Sequence, residues 1–470
     1  MNALAEFRQY LMKPHVRPWA LSAPILVLLI CLPLLRPLRH PDPRGISDDE
    51  LARLATIQSL VEHRSLVIND SMFQPSTLTV HKGPHVFSAQ PPTLAVLLSG
   101  PYCVMRALGL TFATNPSLVE YLLTMLGVTL PVALAAGFVH HMGRLFELRR
   151  PIRALLAMGV ALGSGLVSYG VVLNPHAPAA ALILAAVACF AHVAGSTHPR
   201  VTSGWVGVAG VCAAFAATID PNALIFLVLL VFAIPAMRWR LGMKLGGIFL
   251  YLLGATGPLI LHAAMVMPIT GGLFVPTLHR DMTVTHIASA STRAPASSVD
   301  DIDEPTASGW WNALGLDLAR IGSAFFGAHG IFSHFPVMLL GVFGVAAVMH
   351  RHWPLTTKTL ATAALAGALT VIILRCVIAN VGAGDMFGPQ AFVVFLPLLL
   401  FWSGAWIRRS HHPLSWTLAG CLMLFSILAG LIGATDPCPR SGYDGYTVAQ
   451  ALNNLVHADI GEPGPILAGR

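Results

Sequence analysis

Charged side chains are scarce in this sequence. Asp, Glu, Lys and Arg together make up 10% of its 470 residues, where a soluble domain carries about 25%. With 55% hydrophobic residues and a mean hydropathy of +0.70, that shortage excludes a soluble enzyme and a disordered chain. Cysteines are few and unpatterned. Six of the seven, Cys31, Cys103, Cys189, Cys212, Cys376 and Cys421, lie in apolar runs, Cys438 lies in a polar tail, and no CxxC occurs. Neither a disulfide scaffold nor a zinc motif is indicated. No Walker motif or dinucleotide fingerprint stands in the right context. No internal repeat is visible, which weakens a transporter built from inverted halves. The first apolar run follows Arg8, Lys13 and Arg17 and has no small-residue cleavage site before Pro33-Leu-Leu-Arg36-Pro, so it reads as a retained span rather than a cleaved leader.

What is present is a series of apolar runs near membrane-spanning length: 18–38, 117–141, 154–173, 177–195, 203–219, 222–237, 243–267, 331–349, 358–378, 391–407 and 414–434. A further run, 91–111, contains Gly100-Pro101 and Arg106. If it crossed, Arg144, Arg149, Arg150 and Arg153 would face outward, against the positive-inside tendency. If it lies along or re-enters the outer surface, the basic residues sort to one side. Arg8, Lys13, Arg17, Arg144 to Arg153, Arg200, Arg238, Arg240, Lys244, Arg351, Lys358, Arg408 and Arg409 then all fall inside. The expected architecture is an all-α membrane bundle of about 11 transmembrane helices. Residues 1–17 are cytoplasmic, 18–434 form the membrane domain with outer loops 39–116 and 268–330, and 435–470 form an extracytoplasmic tail. The net charge of +7 then belongs to inner loops and does not point to nucleic acid.

Acidic residues sort oppositely. Glu6 and Glu147 fall inside, while Asp48, Asp49, Glu50, Asp220, Asp385 and Asp436 stand at outer ends of spans. Carboxylates at a membrane edge are costly, so their gathering suggests a wet functional face outside. Ser47-Asp48-Asp49-Glu50 reads as a capping box, and Asp49 with Arg53 as an i,i+4 pair. The same carboxylates are candidate general bases. Phe87-Ser-Ala-Gln90-Pro-Pro92 is a helix entry. Asn174-Pro175-His176 is an interfacial turn whose His has the chemistry to meet a sugar or phosphate. Asp220-Pro221-Asn222 reads as a cap or a ligand site. Two histidines, His329 and His334, are five apart and lack metal-ligand spacing. Asn380-Val-Gly-Ala-Gly384-Asp385 is Gly-rich and leads to Gln390; such backbone can approach an anion. The helix-like stretch from Trp310 to Arg320 reads as interfacial.

Taken in order, Arg53-Leu-Ala-Thr-Ile-Gln-Ser-Leu-Val-Glu62 and then Phe87-Ser-Ala-Gln90-Pro-Pro92 resemble the first outer loop of bacterial GT-C glycosyltransferases. These are polytopic enzymes related to protein O-mannosyltransferases and lipid A aminoarabinose transferases. Asn174-Pro-His176, Gly327-Ala-His329-Gly-Ile-Phe-Ser333 and Asn380 to Pro389 also resemble family segments, so the likeness runs from about residue 46 to 437. It implies transfer of a sugar from a polyprenyl-phosphate donor to a hydroxyl on a lipid, glycan or protein acceptor, outside a bacterial inner membrane with the N-terminus inside. It implies a base among Asp49, Glu50 and Asp48. It implies substrate contacts from Arg53, Gln90, Asn174, His176, Asp220, His329, Asn380 and Gln390, and no definite cofactor or metal. Two departures stand out. The family often has Lys before Pro-Pro and Arg after the Gly-rich loop, where this chain has Gln90 and Gln390. Gln keeps hydrogen-bond donors and loses the charge, which leaves open compensation by Lys82, Arg53 or Arg106, an altered donor, or a binding or scaffold relative without catalysis.

Overall fold

The computed structural model describes residues 17–39, 47–73, 78–196, 203–237, 241–272, 318–350, 352–378, 386–410, 412–438 and 446–458. The Gly-rich loop with Asn380 and Asp385, the acidic patch at 300–305 and most of the Trp310 helix lie outside them.

The described chain is helical from end to end apart from one hairpin. Helix α1 (Arg17–Leu34) runs into the short α2 (Arg36–Arg39). Helix α3 (Asp48–Gln58) ends in a wide turn over Ser59–His63. Strands β1 (Thr79–Lys82) and β2 (His85–Ser88) pair antiparallel, Thr79 opposite Ser88 and Lys82 opposite His85. The two-residue connection Gly83-Pro84 places Gly83 at φ +60°, the positive φ such hairpins require at their first position. The hairpin is a local exception to the all-helical expectation, and it delivers Gln90 to α3.

Helix α4 (Thr93–Ala107) has 15 residues. It is about 22 Å long and cannot cross a hydrocarbon core of about 30 Å. The run 91–111 is therefore a short helix, packed on α3 and on α5 (Pro116–Thr124). α5 continues through a wide turn into α6 (Leu130–Met142). Then follow α7 (Arg150–Gly163), α8 (Leu166–Tyr169), α9 (His176–Ala194), α10 (Gly204–Ile219), α11 (Leu224–Leu229) and α12 (Leu241–Thr270). The remainder is α13 (Leu318–Phe326), α14 (Ile331–His334), α15 (Met338–Met349), α16 (Leu355–Ile378), α17 (Leu396–Phe401), α18 (Ser403–Arg409), α19 (Pro413–Thr435) and α20 (Thr447–Ala458).

Among the described residues five helical stretches are long and apolar enough to cross a membrane, and a sixth if the pair Arg320–His334 and Met338–Met349, bent by 93°, counts as one span. The chain is a multi-pass membrane protein. Several of the eleven expected runs are shorter or broken. The run at 154–173 breaks at Gly165, where φ is +81°, and those at 222–237 and 391–407 divide into short α and 3₁₀ pieces. Broken backbone inside a bundle is tolerated where neighbouring protein meets its polar groups.

Helix α9 is the axis of the bundle, 83% of its apolar window buried, while α12 is peripheral at 17%. α12 turns Leu245, Phe249, Leu253 and Ile260 outward, as a lipid-facing helix does. It packs on α10 through small residues. A Cβ at Gly210 would stand 2.0 Å from the Tyr251 carbonyl oxygen, and one at Gly254 2.1 Å from that of Gly207. Such close approach is what small residues at membrane-helix interfaces allow.

The two ends of the bundle differ. Segments 145–147, 193–196, 236–237, 352–357 and 405–409, with His350, meet at one end. Their connections are the ones the positive-inside sorting placed together. The carboxylate-bearing segments lie toward the opposite end, because α9 starts at His176 and finishes at Ala194.

Gly210→Ala should loosen α10 from α12 and lower stability by about 1–3 kcal/mol, the usual cost of overpacking. Gly242→Ala, at a site with nothing within 4 Å, should be neutral. Thermal unfolding of both purified variants checks this; equal midpoints would reject the close-packed interface.

Candidate functional site

The site begins with a cap. Ser47 stands before α3 and its hydroxyl accepts from the Glu50 amide at 3.3 Å. The second half of the expected capping box does not form, because the Glu50 carboxylate turns inward. Glu50 is fully buried. It pairs with Arg36 Nε at 3.0 Å and accepts from the Leu173 amide at 2.8 Å. Arg36 also pairs with Glu120. The oxygens approach this guanidinium as ion-pair partners rather than as aligned hydrogen bonds. One buried cation thus holds two carboxylates from α3 and α5. Neither Arg36 nor Glu120 was singled out from the sequence. The signal was there in a lone acid inside the run 117–141 and an arginine closing the first span.

Asp49, one residue earlier, points the other way and keeps 22% of its side chain exposed. Gln90 Nε2 donates to Asp49 Oδ1 at 2.6 Å. Arg53 Nη2 lies 3.7 Å from Asp49 Oδ2, the expected i,i+4 pair, and donates to Gln90 Oε1 at 3.2 Å. Arg53 Nη1 donates to the carbonyls of Asp49 at 2.8 Å and Leu173 at 3.4 Å. The structure therefore brings together Asp49, Arg53 and Gln90, which the sequence placed in one site. Arg53 is 2% exposed and its donors face protein, so its geometry is that of a group orienting Asp49 and Gln90.

Asn174 is fully buried. It accepts from the Ala177 amide at 3.0 Å and donates to the Val172 carbonyl at 2.9 Å, and so caps α9. His176 Nδ1 meets Asp220 Oδ2 at 2.7 Å, while Asp220 Oδ1 accepts from the Asn222 amide at 2.9 Å. Burial opposes ionisation of Asp220. The His176 ring, the Asn222 amide and the charge of Arg375 outweigh it and hold the carboxyl below its ordinary value. Arg375 Nε in turn donates to Asn222 Oδ1 at 3.1 Å, and Arg320 Nη1 approaches the Cys376 carbonyl at 3.4 Å.

The remaining segments close around the same end. His329 Nδ1 lies 3.3 Å from the Gly388 carbonyl, two residues before Gln390. Tyr169 donates to the Phe387 carbonyl. The Phe387 amide donates to the Pro437 carbonyl at 2.9 Å, and Cys438 sits among Ser47, Asp49 and Glu50. Burial first, then the charges of Glu50 and Asp49, push its thiol well up, with Arg36 and a Ser47 hydrogen bond opposing. The tail, whose composition points to no role, docks here through its described residues. Thr447 Oγ1 bonds His334 and accepts from the Gly388 amide at 3.2 Å, and Tyr446 donates to the Ser333 carbonyl at 2.5 Å. Asn380 lies outside the described residues. Among those residues no group of His, Cys, Asp and Glu is placed to hold a metal ion.

No protein-family model and no curated protein matches the chain. Solved structures do. The Archaeoglobus fulgidus oligosaccharyltransferase in complex with Zn and sulfate matches with a TM-score of 0.51 at 12% identity, over 89% of this chain and 53% of that one. The same enzyme tethered to an acceptor peptide gives 0.50 at 14% identity, over 92% and 56%. ArnT from Cupriavidus metallidurans bound to undecaprenyl phosphate gives 0.48 at 13% identity, over 94% and 72%. This chain spans a little over half the length of the archaeal structures. The likeness shows the fold, that of the GT-C membrane glycosyltransferases, as the sequence resemblance implied.

Arg36→Met should destabilise the protein by about 3–5 kcal/mol, because it leaves two buried carboxylates unpaired. Replacing Arg36, Glu50 and Glu120 together with methionine should recover most of that loss. Unfolding midpoints in detergent test it; a triple variant as unstable as the single one would show that the charges are not the cause.

Proposed function

We propose that this protein is a membrane glycosyltransferase that moves a sugar from a polyprenyl-phosphate carrier to an acceptor hydroxyl, with Asp49 as the general base. The observation that carries the proposal is the division of labour in the first turn of α3. Glu50 is sealed in an ion-pair cluster, while Asp49 stays partly open, fixed by Gln90 and Arg53. A catalytic carboxylate needs both solvent-side access and a defined direction.

In this reading the acceptor hydroxyl gives its proton to Asp49. The acceptor oxygen bonds to the anomeric carbon, and the bond from that carbon to the phosphate oxygen breaks, with an oxocarbenium-like state between. The bonding pair leaves on the phosphate, whose charge needs donors at that moment. Arg375 and Arg320 are the proposed partners. Both stand at the end of the bundle reached by the polar arc from Asp49 through Arg53, Leu173, His176 and Asp220 to Asn222. His329 and Gln390 are proposed donor contacts on the facing loops, and Asn380, outside the described residues, is proposed as a further one on the resemblance alone. The site is proposed to face outward from a bacterial inner membrane, since the basic residues gather at the other end. The acceptor is proposed to be a lipid, glycan or protein; the archaeal enzyme of similar fold was captured with an acceptor peptide.

A second reading is a binding protein that retains the fold. It is favoured by Arg53, whose donors are committed to protein, and by the absence of lysine at position 90.

One experiment separates the two. Purified protein is given a panel of radiolabelled polyprenyl-phosphate sugars and cell-envelope acceptors. Transfer by the wild type should fall roughly 10²–10⁴-fold in Asp49→Asn at unchanged unfolding midpoint, and persist in Asp48→Asn. Carrier binding without transfer by the wild type would establish the second reading. Transfer unimpaired in Asp49→Asn would remove Asp49 from the chemistry.

A further inference from the structure

At the end of the bundle opposite Asp49 lies a cavity of about 940 Å³, within the range of small-molecule sites. Helix α9, 19 residues long, separates it from the carboxylate site by about 28 Å. It plays no part in the proposed transfer. Its lining has two parts. Leu145, Val193, Met237, Ala347 and Ala405 make an apolar wall from the ends of five bundle segments. Arg408, Arg409, His350, His352, Thr356 and Thr357 supply polar and basic groups.

The charge on this lining is not cancelled. Among the described residues Glu147 is the one acid on the wall, and it pairs with Arg408 Nη2 at 2.5 Å. Arg408 also lies over the Trp353 ring, 5.5 Å from its centroid. Arg409 has no ion-pair partner among the described residues. A second anion-favouring element opens into the same space. The 24-residue helix α16 begins at Leu355, and its first internal bond is Lys358 N–H to the Pro354 carbonyl. The amides of Leu355, Thr356 and Thr357 therefore have no partner within the helix, and all three residues line the cavity. Helix N-termini carry partial positive charge and donors aimed outward. Guanidinium, free amides and an apolar wall together suit a ligand with a phosphate at one end and hydrocarbon at the other.

We propose that this cavity binds a phosphate-bearing amphiphile, an anionic phospholipid, with its phosphate between Arg409 and the start of α16 and its acyl chain along the apolar wall. Basic pockets between membrane helices on the positively charged side bind such headgroups. This site is separate from the proposed donor site, and its test does not depend on transfer.

The experiment measures the unfolding midpoint of the full-length protein in a neutral detergent while titrating dihexanoyl phosphatidic acid, dihexanoyl phosphatidylcholine or inorganic phosphate. Phosphatidic acid should raise the midpoint saturably. Arg409→Gln, which leaves the Arg408–Glu147 pair in place, should raise the half-saturating concentration at least tenfold. Ala194→Trp, an exposed cavity-lining position, should do the same by filling the mouth without changing charge. Asp49→Asn should bind like the wild type. Saturation by inorganic phosphate alone at the same concentration would overturn the phospholipid assignment and make the occupant a soluble phosphate. Equal shifts from phosphatidylcholine, or shifts untouched by both cavity variants, would overturn the proposal.

Discussion

The structure turns on a charge that cannot be left alone. Arg36 is buried at the end of the first membrane helix, 4% exposed, and a guanidinium in such a place needs partners. It takes them from two elements far apart in sequence, Glu50 in α3 and Glu120 in α5. At an effective dielectric of about 20, each contact at 4 Å is worth about 4 kcal/mol of Coulomb attraction, much of which offsets desolvation. In our reading the cluster therefore contributes geometry more than stability. Once Glu50 is anchored to Arg36 and to the Leu173 amide, the azimuth of α3 is set. Neighbouring side chains on a helix point about 100° apart, so Asp49 is turned out of the core. A buried structural acid next to an open one follows from that single anchoring.

The same anchoring explains what the sequence disclosed and what it concealed. Helix α3 was legible because its signals are local: Ser47 before it, acids in its first turn and an i,i+4 Asp49–Arg53 pair. The meeting of Asp49 with Gln90 was legible only through the ordered resemblance to a family loop, since 41 residues separate them. Within that interval Gly83-Pro84 closes a hairpin whose turn residues are a local signal. Glu50 keeps two readings in the sequence, a capping-box partner and a candidate base, because local spacing does not disclose that its carboxylate turns inward to Arg36. Its partner Arg36 looked like an ordinary basic flank of a span. The docking of Thr447 on His334, 113 residues away, has no local signature at all.

The two ends of the bundle give the fold a polarity that hydropathy alone does not supply. Apolar runs are symmetric between their ends, and charge decides which ends lie together. The connections carrying Arg144, Arg408 and Arg409 do converge, and those carrying Asp49, Asp220 and Asp436 lie toward the other end. The basic loops converge at one end, while the acids at the opposite end join buried ion pairs or cap helices. Asn174 and Asp220 illustrate the second use. Both cap helices, yet Asp220 also keeps one oxygen on His176, so a cap and a ligand position are not exclusive alternatives.

Gln90 is the residue on which the electrostatic logic of the site closes. A lysine at this position, as the resembling family often has, brings only donors and a positive charge. Here the position lies between a guanidinium and a carboxylate: Arg53 Nη2 needs an acceptor and Asp49 Oδ1 needs a donor. An amide satisfies both with one group, whereas an ammonium would face Arg53 as a like charge. The glutamine is thus consistent with Arg53 being turned inward, and the two features belong to one arrangement. If lysine serves the leaving phosphate in the family, then in this chain that charge must come from another element. Arg375, in the last turn of α16, and Arg320 of α13, which reaches the Cys376 carbonyl beside it, are where the described structure offers it. In the proposed transfer the Gln90 departure would then move the cation to other helices, while Asp49 keeps a direction fixed by Gln90 and Arg53.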